Sequence, residues 1–400
     1  MKKGKCILLI SLLFLLLLGL CISQKDKISF WLISLKEKRE IEKQINAMTL
    51  DEKVGQLVIS GFQGETVSEE LKELIEKYHI GGIILFRSNI KDSNQLVEFT
   101  NSIKEINRIN GGVPIFVSVD QEGGRVSRLP KEIDKFPSAA NIGKLDDEKL
   151  SYKIGNLLGE TIKSFGFNLD FAPVLDIASN PENKVIGDRA FGDNPDIVCR
   201  MGLQFMSGLK DSNVISVVKH FPGHGDTKAD SHYELPYLNH DRKRLDTIEF
   251  IPFKKAVEYG VDGIMVSHIV LKNIDDKNPA TMSKTVATDI LRKEFNYNGV
   301  IFTDDINMGA IAKNYLLRDA VIKSINAGVD VIVSSKGCEE TRLIIEIIKE
   351  ALKEGSISEE RIDESIERIL KLKNKYELQD KTLTKINPDN INKIINEKIK

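Results

Sequence analysis

The segment KHFPGHGDTKADSH, residues 219–232, holds three of the chain's six histidines, with two lysines, two aspartates and two glycines. Imidazoles at that density suit a metal site, a proton relay or a substrate loop. Asp230 and His232 stand two residues apart, so the carboxylate can orient the ring and support its protonated form, as a proton-transfer dyad requires. Gly223 and Gly225 make the segment bent or mobile. His220, His224 and His232 could chelate zinc, but Lys219 beside the first of them is unfavourable. The His-x-His that metal-dependent hydrolase barrels commonly carry at the first strand is absent from ISGFQG, residues 59–64. A Schiff base on Lys219 would leave Asp304 and the Asp230/His232 pair without a role. The reading therefore calls for no metal and no cofactor.

Further polar residues stand at the ends of apolar runs: Asp120, Lys219-His220, Ser267-His268 and Asp304-Asp305. Charge at four buried strand ends is costly unless the groups converge on a ligand. DQEGGRVSR, residues 120–128, adds paired glycines that allow sharp bends, and arginines suited to polar ligand groups. GDRAFG, residues 187–192, adds Arg189; a solvated pair between Asp188 and Arg189 is open on spacing alone.

The elements that must position these groups follow from periodicity. Leu57–Phe62, Gly81–Phe86, Pro114–Asp120, Phe167–Ile177, Val214–Phe221, Gly263–Ile269, Gly299–Asp305 and Val329–Ser335 are nearly continuous in apolar residues, as strands buried on both faces are. Amphipathic segments alternate with them. Leu71, Leu74, Ile75 and Tyr78 form one helical stripe, Thr49 with Glu52 is a capping-box spacing, and Gly328 is a helix stop. Two helices are expected over 340–353 and 358–374, then a polar tail that frays. Eight such alternations define an α/β chain of the (β/α)8 TIM type, whose barrel needs roughly 250 residues. An open doubly wound sheet would require a Gly-rich phosphate loop after the first strand, and none is present.

Net charge is −2, with 41% apolar and 29% charged residues, so no global field draws nucleic acid. The N-terminus differs. Lys2, Lys3 and Lys5 precede Cys6–Ile22, seventeen residues interrupted only by Ser11 and Gly19. This is the layout of an export signal, and roughly 17 residues is also the lower limit for spanning a bilayer, which leaves an uncleaved anchor open. Lipid modification of Cys21 is disfavoured by the bulky Leu20 before it. Each alternative places the remainder outside the cytoplasm. Residues 1–23 are thus a signal or anchor, 24–46 a lead-in, 47–375 the single catalytic domain and 376–400 the tail. Cys199 and Cys338 remain for the mature chain and are expected as packing residues, with one disulfide open.

The motifs MTLDEKVGQ (48–56), VDQEGGR (119–125), KHFPGHGDT (219–227), DSH (230–232) and TDD (303–305) together resemble glycoside hydrolase family 3, in its β-N-acetylglucosaminidase branch acting on peptidoglycan fragments. The resemblance extends to about residue 375. It implies a barrel glycosidase with Asp304 as nucleophile and His232 as acid/base partnered by Asp230. It places Asp120, Arg128, Arg189, Lys219 and His220 around the sugar, and leaves Asp305 unassigned. It further implies a carbohydrate substrate, no nucleic acid, membrane association only through an uncleaved N-terminus, and a monomer. The Asp-Ser-His segment separates this branch from the β-glucosidases. The second domain that some exported relatives carry is not expected here. A sugar-binding protein without turnover would need neither Asp304 nor His232.

Overall fold

The computed structural model of the chain describes residues 35–228, 231 and 234–399. The expected signal or anchor lies outside them; among the described residues no helix is long and apolar enough to cross a membrane. The chain divides at residue 49. The first unit contains one helix over 35–47.

The second unit is built on eight parallel strands: β1 (Val58–Ser60), β2 (Gly82–Leu85), β3 (Phe116–Val119), β4 (Leu169–Asp170), β5 (Ile215–Phe221), β6 (Gly263–Val266), β7 (Val300–Thr303) and β8 (Ile332–Ser334). Their order is β8-β1-β2-β3-β4-β5-β6-β7, and a parallel bridge between Phe302 and Val331 joins the two ends into a (β/α)8 barrel. Every residue of β2, β3, β5, β6 and β7 is buried, because helices cover the outside and side chains fill the inside.

All eight apolar runs contain a barrel strand, but the fourth is cut short. Pro173 has no amide hydrogen for the ladder, so the run 167–177 pairs as β4 and resumes only at an isolated bridge from Val174 to Lys219. Gly82 allows β2 to approach β3, since a Cβ there would lie 2.7 Å from Cβ of Phe116.

The helices follow the stripes closely. Leu50–Gln56 begins directly after Thr49. Glu69–Glu76 buries Leu71, Leu74 and Ile75, but it ends before Tyr78, which is half-buried beyond the last turn. Leu317–Ala327 stops at Gly328 with φ 111°, a left-handed conformation that glycine adopts without strain. The two expected late helices are Cys338–Lys353 and Glu359–Lys375. The tail does not fray throughout: Pro388–Ile399 is helical and buries Ile395. Its polar residues are paired. Asn392 Nδ2 donates to the Glu132 carbonyl at 2.7 Å, the Asp134 amide donates to Asn392 Oδ1 at 2.8 Å, and Asn396 Nδ2 donates to Asp134 Oδ2 at 2.6 Å. Cys199 and Cys338 are free, half-buried thiols.

The seam between β7 and β8 is reinforced by Asp330. Its buried carboxylate accepts from the Ile301 amide at 2.9 Å and from Ser365 Oγ at 2.9 Å, and it pairs with Arg292, Arg361 and Arg368. Burial opposes its ionisation, but the three guanidinium groups hold its pKa below the usual carboxylate value. Asp330→Asn removes the buried countercharge that the three cations share, leaving Arg361 and Arg368 only the exposed Glu364 at 3.7 Å, so urea unfolding should show a loss of about 3–5 kcal/mol.

Candidate active site

At the C-terminal ends of the strands lies a cavity of about 390 Å³. Its walls include Phe86 after β2, Asp120 and Glu122 after β3, Lys219 and His220 of β5, Met265 of β6, Asp304 and Asp305 after β7, and Val333 of β8. Arg128 and Arg189 reach it from the insertions.

Its electrostatic centre is Glu122. The buried carboxylate receives both Nε and Nη2 of Arg189 at 2.8 Å, and Lys219 Nζ lies 2.7 Å away. Lys219 also donates to Asp120 Oδ1 at 2.6 Å. Burial alone would favour a neutral Glu122, yet Lys219 and Arg189 hold its pKa far below the usual carboxylate range. Lys219 is 2% exposed; burial works against its charge, and Asp120 and Glu122 more than offset this, raising its pKa. A carboxylate so stabilised as an anion is a poor proton donor. The open pairing of Asp188 with Arg189 is not formed: Asp188 pairs with Arg125 at 2.7 Å, while Arg189 turns inward.

Lys219 and His220 are consecutive, yet both line the cavity. In a regular strand they would face opposite sides. The register of β5 against β6 shifts between Val218 and Phe221, and such an irregularity re-aims side chains. His220 Nδ1 lies 2.6 Å from Asp176 Oδ2, and its Nε2 lies 3.2 Å from Arg189 Nη2. The other oxygen of Asp176 accepts the amides of His220 at 3.2 Å and His224 at 2.7 Å.

Beyond β5 the chain turns at Gly223 (φ 127°), then passes so near Ile177 that a Cβ on Gly225 would lie 1.6 Å from its carbonyl oxygen. His224 is buried, with Nδ1 2.7 Å from Thr227 Oγ1 and Nε2 3.0 Å from Ser231 Oγ. The Ser231 carbonyl accepts the Ala310 amide at 3.0 Å. Asp230 and His232, on either side of Ser231, lie outside the described residues.

The two aspartates after β7 differ. Asp305 accepts the amides of Asn307 at 3.1 Å and Ser335 at 2.9 Å through Oδ1, and the Ser335 hydroxyl through Oδ2. Burial raises its pKa. Asp304 accepts the Asp305 amide at 2.8 Å, and among the described residues it makes no other side-chain hydrogen bond. Burial opposes its charge as well, but His220, His268, the Asp305 amide and Lys219 bring its pKa below the usual value. It can therefore present a charged oxygen to the cavity.

Of the residues expected from sequence, Asp120, Arg128, Arg189, Lys219, His220 and Asp304 line one cavity. His268 does not join them. It is fully buried, 2.6 Å from Thr281 Oγ1 and 2.9 Å from the Asp305 carbonyl oxygen, a satisfied core histidine. The reading from sequence passed over Asp176, although a carboxyl inside an apolar run was a usable signal. Glu122 as a clasp for two cations has no comparable local signature.

Residues 49–372 match the glycosyl hydrolase family 3 N terminal domain. The chain belongs to glycosyl hydrolase family 3. Among family 3 proteins it is similar to beta-hexosaminidase A of Pseudoalteromonas piscicida, 34% identical over 333 residues, or 78% of this chain and 56% of that protein. It therefore spans just over half the length of that relative. Beta-hexosaminidase LpqI of Mycobacterium tuberculosis is 31% identical over 334 residues, 80% of this chain and 82% of the relative. The structure of a family 3 beta-N-acetylglucosaminidase from Paenibacillus sp. str. FPU-7 superposes with a TM-score of 0.85 at 37% identity, covering 88% of this chain and 68% of that one.

His224 gives this family 3 site a pH signature. Burial lowers its pKa from 6.5 to about 4. Below pH 6.5 the unfolded chain takes up a proton that folded His224 refuses until about pH 4, so stability falls as pH drops through that window. At about 1.4 kcal/mol per pH unit the loss is roughly 3 kcal/mol. Urea titrations at pH 7 and pH 4 should therefore differ by roughly 3 kcal/mol less in His224→Gln than in the wild type.

Proposed function

We propose that this chain is a retaining exo-glycosidase that removes terminal, non-reducing β-linked N-acetylglucosamine (or another N-acetylhexosamine) from cell-wall-derived or chitin-type glycans. The observation that carries the reading is the carboxylate of Asp304. It lines a polar cavity with one side-chain hydrogen bond among the described residues and a pKa held below the usual value, while its neighbour Asp305 is occupied by backbone donors. Asp304 attacks the anomeric carbon and forms a glycosyl-enzyme; water then releases the sugar. Asp120, Arg128, Arg189, Lys219 and His220 hold its hydroxyl groups. These five bring both signs of charge and fixed donors to a small volume, as oriented sugar binding requires.

His232 protonates the leaving oxygen and then activates water, with Asp230 orienting the ring. Histidine replaces the second carboxyl of the usual pair, and an unperturbed imidazole titrates near ~6.5, close to working pH. The names of the family 3 relatives support the 2-acetamido sugar as substrate. The charged and apolar N-terminal pattern supports an extracytoplasmic location, secreted or membrane-anchored. The protein acts as a monomer on carbohydrate.

The purified protein should hydrolyse an aryl β-glycoside bearing the 2-acetamido group and leave the matching β-glucoside nearly untouched; the reverse preference would make it a β-glucosidase. Proton NMR of the first-formed sugar should show the β anomer. Asp304→Asn should lower kcat by at least about 10³-fold. Asp305→Asn should retain much more activity while losing about 1–3 kcal/mol of stability in thermal unfolding, because its backbone donors lose an acceptor.

His232→Ala should slow substrates with poor leaving groups by ~10²–10⁴-fold in kcat/KM and activated aryl substrates far less. An equal loss for both classes would remove His232 from the acid/base role.

A further inference from the structure

Asp176 has no place in the reaction described so far. It is fully buried at the end of the β4 run, behind the cavity wall. Oδ1 is committed to two backbone amides, those of His220 and His224. Oδ2 faces only His220 Nδ1 among the described residues, at 2.6 Å. A carboxylate accepts, so Nδ1 carries a hydrogen. On the far side of the ring, Nε2 meets Arg189 Nη2 at 3.2 Å, and a guanidinium only donates. Nε2 must therefore offer a lone pair. Both contacts are satisfied by the same neutral tautomer, and a doubly protonated ring would set N–H against N–H at Arg189.

We propose that Asp176 is a positioning residue for sugar binding: it locks His220 as the Nδ1–H tautomer, so that Nε2 presents an acceptor to the cavity beside the donors of Arg189. This rests on the glycosidase reading for its ligand. A sugar hydroxyl inserted between the two groups answers both: it donates to the Nε2 lone pair that Arg189 Nη2 otherwise occupies, and it accepts the N–H so released. Without the lock, Nε2–H and Arg189 would both be donors, and the hydroxyl hydrogen would lose its partner.

Asp176→Asn tests the lock with little change of shape. The two backbone amides keep the side-chain oxygen on their side, so the new NH₂ faces Nδ1 and forces the hydrogen to Nε2. In the full-length protein labelled with ¹⁵N-histidine, the His220 signal is assigned by its loss in His220→Gln. The non-protonated nitrogen should be Nε2 in the wild type and Nδ1 in Asp176→Asn. The variant's kcat/KM should fall on the order of 10–100-fold. That fall should be equal for good and poor leaving groups, because the contact is to the sugar and not to the departing oxygen. In the His220→Gln background, Asp176→Asn should add little further loss.

A wild-type His220 protonated on Nε2 overturns the proposal, even if the variant fails to fold. So does a loss of activity with the tautomer unchanged, or full additivity of the two substitutions. The spectrum needs no turnover. An inactive wild type with a non-protonated Nε2 would therefore support the lock and overturn only the glycosidase reading.

Discussion

The site depends on keeping one carboxylate charged where water is scarce. Glu122 is buried, and its anion persists because Arg189 approaches through two hydrogen bonds while Lys219 lies within 2.7 Å. Removing either cation would leave an uncompensated charge, among the most expensive defects a folded chain can carry. The requirement couples three parts of the barrel mouth: the loop after β3, the end of β5 and the insertion bearing Arg189. The cavity is thus a preformed wall of donors and acceptors, and little ordering remains to be done on binding.

Backbone geometry makes this convergence possible. The register shift in β5 brings two neighbouring side chains to one cavity. Glycines allow the loops to lie close enough for the pairs to form. At Gly123, with φ 91°, a Cβ would stand 2.4 Å from the Pro137 carbonyl oxygen, and at Gly225 the gap to Ile177 is smaller still. Asp176 extends the same logic by tying the end of β5 and the start of the following loop to a single carboxylate.

The paired aspartates after β7 show how environment divides roles between identical side chains. Asp305 faces the turn toward β8 and serves as an acceptor for Ser335 and Asn307. Asp304 lines the cavity near the Lys219 cation and the rings of His220 and His268. Burial raises the pKa of Asp305, whereas the surroundings of Asp304 bring its pKa below the usual value despite burial. The difference comes from direction, since adjacent residues at a strand end point to different places.

Much of the fold was legible in the chain because apolar runs and helical stripes are local signals. A strand within each of the eight runs, the two late helices and the Gly328 stop follow from them. The site residues at strand ends were legible for a related reason: charge next to a buried run must have a purpose. Pairing was not legible. Arg189 reaches Glu122, 67 residues away, and leaves its neighbour Asp188 to Arg125. Polarity misled at the tail, where asparagines that suggest solvation instead bond to the loop at 132–134. Sequence alone thus placed Asp120, Lys219, His220 and Asp304 at the barrel mouth, because position along a strand is set by local pattern. Only the closed barrel decided which charges neutralise one another and which carboxylate stays available, because those choices depend on distances created when remote segments pack together.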